Sequence, residues 1–150
     1  MKLELFAIGK EKSSLYAPLV SLYVQRITRW PLAVTPFEVS APEAQIQDRS
    51  DTKLLSLSKD CDYHVLLDEK GAQYTSTQFT SFLQRLENER HKKVGFLIGG
   101  ATGHGQNIKR EIHAHLSFGL ATWPHQLVRI MILEQIYRAQ QILAQHPYHK

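Results

Sequence analysis

Two loops in the last third of the chain combine glycine, proline and small residues, a composition suited to a backbone-lined ligand site. Residues 99–105 read Gly-Gly-Ala-Thr-Gly-His-Gly and follow the apolar run at residues 94–98. Residues 119–124 read Gly-Leu-Ala-Thr-Trp-Pro and precede a long apolar segment. Main-chain atoms can approach a ligand closely where no large side chain intervenes. Because ligands of open α/β sheets bind beyond the carboxyl ends of the strands, these loops predict a small-molecule site.

The second loop and the chain terminus carry groups suited to a nucleotide or to RNA. The carbonyls and amides of residues 119–124 would be available to hydrogen-bond a base such as adenine. The last five residues, 146–150, are His-Pro-Tyr-His-Lys. Aromatic side chains stack on splayed RNA bases, and cations hold phosphates. The alternative for this segment is a disordered tail without a binding role.

The glycine spacing of residues 99–105 does not match the two common nucleotide motifs. The loop lacks the order Gly-x-Gly-x-x-Gly and follows the fourth predicted strand rather than the first. His125 stands about 20 positions on, where an acidic residue would hold a ribose. No Gly-Lys-Ser/Thr sequence ends the loop, so it is not a P-loop. The alternative to ligand binding is a purely structural role in tight turns.

The histidines and the single cysteine do not form a metal-ligand or nucleophile pattern. His113 and His115 are two positions apart on a predicted helix and so point to different sides. His146 and His149 lie at the chain end with no carboxylate or thiolate cluster beside them. Cys61 precedes a predicted strand without an evident base, and one cysteine allows no internal disulfide. We therefore expect no metal site, no catalytic thiol and a reducing compartment.

Length and composition limit the class of protein. The chain has 150 residues, 43% hydrophobic and 21% charged, which indicates one domain over residues 1–150 and excludes a disordered or fibrous class. The net charge of +4 suits a polyanionic partner but does not require one. No apolar run approaches the ~20 residues of a membrane span, and residues 1–5 read as a strand rather than a signal peptide. We expect a soluble cytoplasmic protein with no membrane partner.

Strand and helix patterns alternate along the chain. Period-two or continuous apolar runs predict strands at residues 3–7, 37–39, 63–67, 94–98 and 116–121. Helical spacing predicts helices at residues 15–30, 53–57, 76–86, 107–115 and 126–144, with Ser13 or Ser14 and Ser76 as N-caps. Residues 40–50 are predicted as a loop and residues 68–71 as a turn. This order indicates an α/β fold: a mainly parallel sheet with helices on both faces.

The last predicted helix is apolar around most of its circumference. Its hydrophobic positions are Leu127, Val128, Ile130, Met131, Ile132, Leu133, Ile136, Ala139, Ile142 and Leu143. A helix of this kind is buried on more than one side, whereas the sheet of so small a domain covers only one. We therefore expect a second copy of the chain to cover the other side in an isologous homodimer. The alternative is a helix enclosed in the core of one chain.

Several of these segments together carry a family resemblance. They are Leu-Ile-Gly-Gly at residues 97–100, Ala-Thr-Trp-Pro-His-Gln-Leu-Val-Arg at 121–129, Glu-Gln-Ile-Tyr-Arg-Ala at 134–139 and His-Pro-Tyr-His-Lys at 146–150. The opening Met-Lys-Leu-x-Leu-x-Ala-x-Gly and the Leu-Leu-Asp at residues 66–68 agree as well. On these motifs the chain resembles the bacterial large-subunit rRNA pseudouridine N3-methyltransferases, a small family of the SPOUT class. The likeness spans the whole chain and is loosest at residues 40–60.

The resemblance implies both a fold and an activity. It implies a deep trefoil knot in the C-terminal half, a homodimer, and S-adenosylmethionine as methyl donor. The implied substrate is N3 of a pseudouridine in the 23S rRNA of assembled ribosomes. The implied cofactor-binding positions are Leu67, Gly100, Gly119, Leu120, Ala121, Thr122, Trp123 and Pro124. These positions fall at the strand ends and in the loops that the sheet argument selects.

The chain departs from the family pattern at two places. The family usually has Gly-Gly-Pro-Glu-Gly where residues 99–103 read Gly-Gly-Ala-Thr-Gly, so the loop lacks an acidic side chain. The family's terminal motif usually ends in arginine, whereas this chain ends in Lys150, which keeps the charge but loses the bidentate fork. We expect these changes to alter affinity for the cofactor or for the rRNA.

The implied reaction assigns roles to the remaining polar side chains. In-line transfer of a methyl group from a sulfonium to a ring nitrogen requires alignment and removal of the imide proton, and it requires no metal. The expected proton acceptors are Tyr148 and His149, if the tail folds over the site, with His125 as the alternative. The residues expected to contact RNA are Arg129, Arg138 and Lys150.

Two other functions fit parts of the sequence. A nucleotide-dependent oxidoreductase or hydrolase would use the glycine loop for its nucleotide. A non-enzymatic ribosome-binding module, descended from a methyltransferase, would account for the absent loop acid. Thermal protection by S-adenosylmethionine rather than by NAD or ATP would exclude the first, and methyl transfer to ribosomes would exclude the second.

Overall fold

The computed structural model describes residues 1–9 and 15–149, and strands and helices alternate along them. In chain order the elements are β1 (Lys2–Ile8), α1 (Ala17–Arg26), β2 (Leu32–Phe37), α2 (Glu43–Leu57), β3 (Tyr63–Gln73), α3 (Ser76–Asn88), β4 (Lys93–Ile98), α4 (Gln106–Glu111), β5 (Ala114–Ser117) and α5 (His125–Leu143). Within these described residues, no helix has the length and apolar content to cross a membrane. The predicted caps Ser13 and Ser14 lie outside the described residues.

The strands form one sheet in the order β2-β1-β4-β3-β5, and every neighbouring pair is parallel. The prediction of a mainly parallel sheet is therefore confirmed. β4 lies between β1 and β3, and residues 94–98 of β4 are all buried, as expected at the centre of a parallel sheet. Parallel pairing brings the carboxyl ends of the strands to one edge, where residues 67–69 of β3 meet the segments that follow β4 and β5.

Different helices cover the two faces of the sheet. Successive side chains of a strand point to opposite faces, so Leu5 and Phe96 belong to one apolar cluster while Phe6 and Leu97 belong to another. The first cluster includes residues of α1, α3 and α5. The second includes residues of α2 and α4. Helices on both faces are confirmed as well.

The prediction of a loop at residues 40–50 is wrong, because α2 begins at Glu43 and runs to Leu57. The buried residues of α2 are Ser50, Asp51 and Leu54. Two of these three are polar, so the helical period of the buried side cannot be seen in a pattern of hydrophobic residues. The predicted short helix at residues 53–57 is only the last part of α2.

Two strand ends differ from the prediction. β5 ends at Ser117 rather than at residue 121, because Gly119 has φ +116° and leaves the extended conformation. β3 continues through the predicted turn at residues 68–71 as far as Gln73. Its pairing with β5 is irregular between Leu67 and Ala72, where extra residues are accommodated. Residues 68–71, predicted as a turn, are therefore part of β3.

Helix ends differ by a few residues. α3 follows Thr75, whose hydroxyl accepts from the Gln78 N–H (3.2 Å) while the Gln78 side chain accepts from the Thr75 N–H (2.8 Å). This arrangement is a capping box, so the predicted cap Ser76 is wrong by one position. α1 stops at Arg26 instead of near residue 30, because Ile27 is extended.

α5 is buried along one side only. It agrees within one residue at each end with the predicted helix at residues 126–144 and packs against α1 and α3. Its buried residues are Arg129, Ile132, Leu133, Ile136 and Ala139. Leu127 and Met131, one turn apart, are partly exposed and belong to neither apolar cluster. The described residues therefore leave part of the apolar surface of α5 uncovered.

Candidate functional site

A cleft of about 570 Å³ opens between residues 67–69 of β3 and the carboxyl ends of β4 and β5. Its walls are residues 67–69, residues 98–104, residues 116–119 and 121–125, and Val128 of α5. Seven of the predicted cofactor positions line it: Leu67, Gly100, Gly119, Ala121, Thr122, Trp123 and Pro124. The remaining position, Leu120, is not part of the lining and is 88% exposed. The fold thus brings together three segments that are far apart in sequence.

The glycine loop between β4 and α4 is a tight turn that packs against an imidazole. Gly103 has φ +66°, and its N–H donates to the Gly100 carbonyl (3.1 Å), which closes the turn. The ring of His104 lies so close to Gly99 that a Cβ at position 99 would collide with it. Glycine at 99 is therefore required by the packing inside the loop, while residues 99–104 face the cleft.

Helix α2 holds the glycine loop from outside. The Asp51 carboxylate accepts hydrogen bonds from His104 Nδ1 (2.8 Å) and from the Gly105 N–H (2.7 Å). The Gln47 side-chain amide donates to the Thr102 carbonyl (2.5 Å). Sequence reasoning missed these contacts, because residues 40–50 were expected to be a loop and no motif pairs them with the glycines. The glycine loop has no acidic residue of its own, and α2 supplies a carboxylate that contacts its end.

The segment after β5 is tied to the end of β3. The Ser117 hydroxyl lies 3.0 Å from the Glu69 carbonyl and 2.8 Å from the Gly119 carbonyl, and it accepts from the Gly119 N–H (3.1 Å). The Thr122 hydroxyl donates to the Glu69 carboxylate (3.1 Å). Residues 120–124 are exposed, and the Pro124 carbonyl accepts from the Leu127 and Val128 N–H groups in the first turn of α5.

Two carboxylates lie in the cleft, and their surroundings differ. Asp68 forms an ion pair with Lys109 Nζ of α4 (2.6 Å). Burial opposes ionisation of Asp68, but hydrogen bonds from Lys109 and from the Lys70 N–H outweigh burial and lower its pKa. In the part of the chain that the structure describes, the Glu69 carboxylate meets the neutral Thr122 hydroxyl and no lysine or arginine. A cationic ligand in the cleft would therefore face the charge of Glu69.

His125 begins α5 and lines the cleft. Burial lowers the pKa of His125, and the positive charge of Arg129 lowers it further, so the imidazole is neutral at pH 7 and able to accept a proton. Arg129 is 2% exposed, and its guanidinium donates to the Ile8 carbonyl (3.0 Å). This buried position, which joins α5 to the end of β1, does not match the RNA contact that the sequence suggested for Arg129.

The C-terminal tail lies on α5 rather than over the cleft. The Tyr148 hydroxyl donates to the Glu134 carboxylate (3.0 Å), and the Arg138 guanidinium lies 4.7 Å from the centre of the Tyr148 ring. Arg138 Nη1 is 3.4 Å from His149 Nδ1. Burial, together with the bond to Glu134, raises the pKa of Tyr148. Neither Tyr148 nor His149 lines the cleft of its own chain, and Lys150 lies outside the described residues.

Metal-ligand and thiol chemistry find no support at the cleft. Across residues 1–9 and 15–149, no three His, Cys, Asp or Glu side chains are grouped closely enough to bind a metal ion. Cys61 is buried before the first residue of β3, at the edge of the sheet opposite the cleft, and burial raises the pKa of its thiol to about 11. A thiol that resists ionisation and lies away from the cleft cannot act as a nucleophile there.

The fold and the cleft together define a class of protein. A family model described as a predicted SPOUT methyltransferase matches residues 1–149. The chain belongs to this family, as the sequence motifs indicated. The crystal structure of a tRNA methyltransferase from Aquifex aeolicus is similar over 92% of this chain and 70% of that chain, with a TM-score of 0.54. At 12% identity this likeness shows the fold alone.

Within that class, full-length relatives of this chain carry the name Ribosomal RNA large subunit methyltransferase H. The protein of this name from Nitrobacter hamburgensis is 38% identical over 100% of this chain and 99% of its own length. The protein from Paramagnetospirillum magneticum is also 38% identical, with the same coverage. The protein from Parabacteroides distasonis is 32% identical over 99% of both chains. The resemblance inferred from the motifs is therefore confirmed along the whole sequence.

Proposed function

We propose that this chain is an S-adenosylmethionine-dependent methyltransferase that modifies N3 of a pseudouridine in the 23S rRNA of the assembled ribosome. The full-length similarity to proteins named as large-subunit rRNA methyltransferases supports the substrate class. The observation that carries the proposal is the meeting of residues 67–69 of β3 with the loops after β4 and β5 in one cleft. The proposal includes a single domain over residues 1–150, a C-terminal trefoil knot, a homodimer and a cytoplasmic location.

The residues of the cleft fit the proposed donor. Its volume of about 570 Å³ lies within the range of about 300–1,000 Å³ that is usual for small-molecule sites. Residues 120–124 are exposed, as a segment that contacts an adenine base requires. The Glu69 carboxylate at the cleft wall suits a ligand with a positive sulfur and an ammonium group. The donor is therefore assigned to the glycine loop, the residues that follow β5 and the end of β3.

The chain's own residues must align the two reactants and accept one proton. Bound S-adenosylmethionine supplies a methyl group on a positively charged sulfur. N3 of the pseudouridine can receive that group once its proton has a destination. Within one chain, His125 is a neutral base that already lines the cleft. We therefore assign the role of proton acceptor to His125, although the sequence analysis favoured a residue of the tail for this role.

We propose that the tail completes the site in one of two ways. Either the tail of the second subunit enters the cleft, or the tail of the same chain moves there from α5. In this structure Tyr148 and His149 contact Glu134 and Arg138 on α5. To reach rRNA beside the donor, the tail must leave these partners or enter the cleft of the other subunit of the proposed dimer. Arg138 and Lys150 are retained as proposed RNA contacts, whereas the buried Arg129 is assigned to holding β1 against α5.

The proposal is tested by methyl transfer from isotopically labelled S-adenosylmethionine to ribosomes that lack the modification. Label should appear at a single pseudouridine of 23S rRNA, and free rRNA fragments should be poor substrates. Thermal protection of the protein by S-adenosylhomocysteine is measured in parallel, with NAD and ATP as comparison ligands. Protection by NAD or ATP alone would favour a nucleotide-dependent enzyme. Donor binding without transfer to any ribosome would favour a binding module that has lost activity.

A further inference from the structure

The side chains of Asp51 and His104 form a buried pair next to the cleft. They are 7% and 4% exposed, and the Asp51–His104 distance is 2.8 Å between Oδ1 and Nδ1. The other carboxylate oxygen of Asp51 accepts the Gly105 N–H at 2.7 Å. Both oxygens of a buried carboxylate are thus directed at one short loop. Because a carboxylate can only accept, the proton between the pair lies on Nδ1 of His104.

The pair fixes both ends of the glycine loop. The His104 ring packs directly on the main chain of Gly99, where the loop begins. The carboxylate of Asp51 holds Gly105, where the loop ends and α4 begins. A third contact from α2, the Gln47 amide, holds the Thr102 carbonyl in the middle. One helix on the second face of the sheet therefore determines the shape of a loop that lines the cleft.

We propose that Asp51 and His104 are positioning residues for the donor, and that α2 keeps the glycine loop in its binding-competent shape through them. This inference rests on the proposed function, because it assumes that the loop binds the methyl donor. Neither residue is assigned to the methyl transfer itself. The loop of this chain lacks its own acidic residue, and Asp51 provides the anchoring carboxylate from outside the loop.

A positioning role makes a specific prediction for binding. If loss of the pair lowers the fraction of molecules with a binding-competent loop, the apparent Kd rises by the factor by which that fraction falls. The factor should be the same for S-adenosylmethionine and S-adenosylhomocysteine, because the loop holds parts that the two share. The kcat at saturating donor should change little, since other residues align the reacting atoms. The KM for the donor should rise with its Kd.

The test compares Asp51→Asn with Asp48→Asn. Both are acidic residues of α2 replaced by the same amide, but Asp48 is exposed whereas Asp51 is buried. We expect Asp51→Asn to raise the Kd for both ligands about tenfold, as loss of a charge-assisted hydrogen bond allows. Asp48→Asn should leave both unchanged. Titration calorimetry gives the Kd values, at a temperature where circular dichroism shows each variant to be folded.

Two further variants keep the test decisive if Asp51→Asn does not fold. His104→Asn places an amide near the position of Nδ1 but removes the ring from Gly99, and we expect a rise in Kd. Gln47→Ala removes only the contact with Thr102, and a rise of about threefold is expected. A double variant of Asp51→Asn with His104→Asn should bind no more weakly than the weaker of the two single variants, because the residues act as one unit.

A lower melting temperature with an unchanged Kd in all folded variants would reduce the pair to a structural role and overturn the inference. Additive losses in the double variant would also contradict it. If the unaltered protein binds neither S-adenosylmethionine nor S-adenosylhomocysteine, the proposed function itself fails. The two failures are distinguishable, because failure of the proposed function is seen with the unaltered protein, before any substitution is made.

Discussion

His125 combines a place in the cleft with a pKa that is lowered by burial and by Arg129. Its protonated form is therefore populated only at pH values below the usual 6.5. We expect methyl transfer to decrease as pH falls through this lowered pKa, since the protonated ring cannot accept the N3 proton. Replacing His125 with Asn should reduce kcat about 100-fold and remove this acid limb. Rates measured on ribosomes from about pH 5 to 8 provide the check.

His113 supplies a matched control for that experiment. Burial, with a smaller effect of His64, also lowers the pKa of His113. However, His113 stacks on Tyr63 near the opposite end of the strands from the cleft. His113→Asn should therefore keep both the rate and the acid limb. An unchanged pH profile in His125→Asn would transfer the role of proton acceptor to the tail, where the sequence first suggested it.

Glu69 is expected to discriminate between the methyl donor and its product. Among the described residues, its carboxylate at the cleft wall has the Thr122 hydroxyl as its partner, whereas Asp68 is already paired with Lys109. S-adenosylmethionine carries a positive sulfur that S-adenosylhomocysteine lacks. Glu69→Gln should therefore weaken binding of the donor about fivefold more than binding of the product, an effect of one partly screened charge. Calorimetry with both ligands measures the ratio, and the exposed Glu111→Gln on α4 is the control.

At the scale of elements, the hydrophobic pattern predicted those strands and helices whose buried residues are hydrophobic. β4 is a continuous apolar run that was predicted as a strand, and it lies at the centre of the sheet. α2 was not predicted as a whole, because two of its three buried residues, Ser50 and Asp51, are polar and Asp51 contacts the glycine loop. Those contacts join residues more than 50 positions apart, and no local pattern encodes them. The end of β5 was missed for a different reason, the positive φ of Gly119.

The loops of the site could be predicted from the sequence, but the residues that hold those loops could not. Strand ends and Gly-rich loops could be located in the sequence, and parallel pairing then brings the loops after β4 and β5 to one edge. The partners that hold those loops depend on tertiary packing, so Asp51 and Gln47 were not found. The outward placement of Leu120, within a segment whose neighbours line the cleft, also depends on packing. Sequence therefore locates the loops, while packing decides which atoms face the ligand.

The capping box of α3 gives a prediction about stability alone. Thr75→Ala removes the hydroxyl that accepts the Gln78 N–H, so one end of the reciprocal pair is lost. We expect the free energy of unfolding to fall by about 1 kcal/mol. For a chain of this length the melting temperature should fall by about 2–4 °C. Thr77→Ala, the same substitution at an exposed position inside α3, should cause no loss. Equal melting temperatures for Thr75→Ala and Thr77→Ala would show that the box contributes nothing.

At the scale of the whole molecule, the apolar residues that the chain leaves exposed predict self-association. Leu127 and Met131 lie on the side of α5 away from the apolar clusters, and Trp123 beside them in sequence is 43% exposed. A charge buried without a partner at such a contact would be costly. We expect the unaltered protein and Met131→Leu to sediment with the mass of two chains at micromolar concentration, and Met131→Glu to sediment as one. A one-chain mass for the unaltered protein would exclude the homodimer.

The tail connects the molecular scale to the reaction, because Tyr148 and His149 lie outside the cleft of their own chain. Deletion of residues 146–150 removes Tyr148 from Glu134 and His149 from Arg138, but it leaves every residue that lines the cleft. Methyl transfer to ribosomes should therefore be lost while the Kd for S-adenosylmethionine stays within about twofold. Normal turnover by the truncated protein would remove the tail from the mechanism and leave His125 as the sole proton acceptor. A large loss of donor affinity would instead make the tail part of the cofactor site, which the single-chain geometry does not suggest.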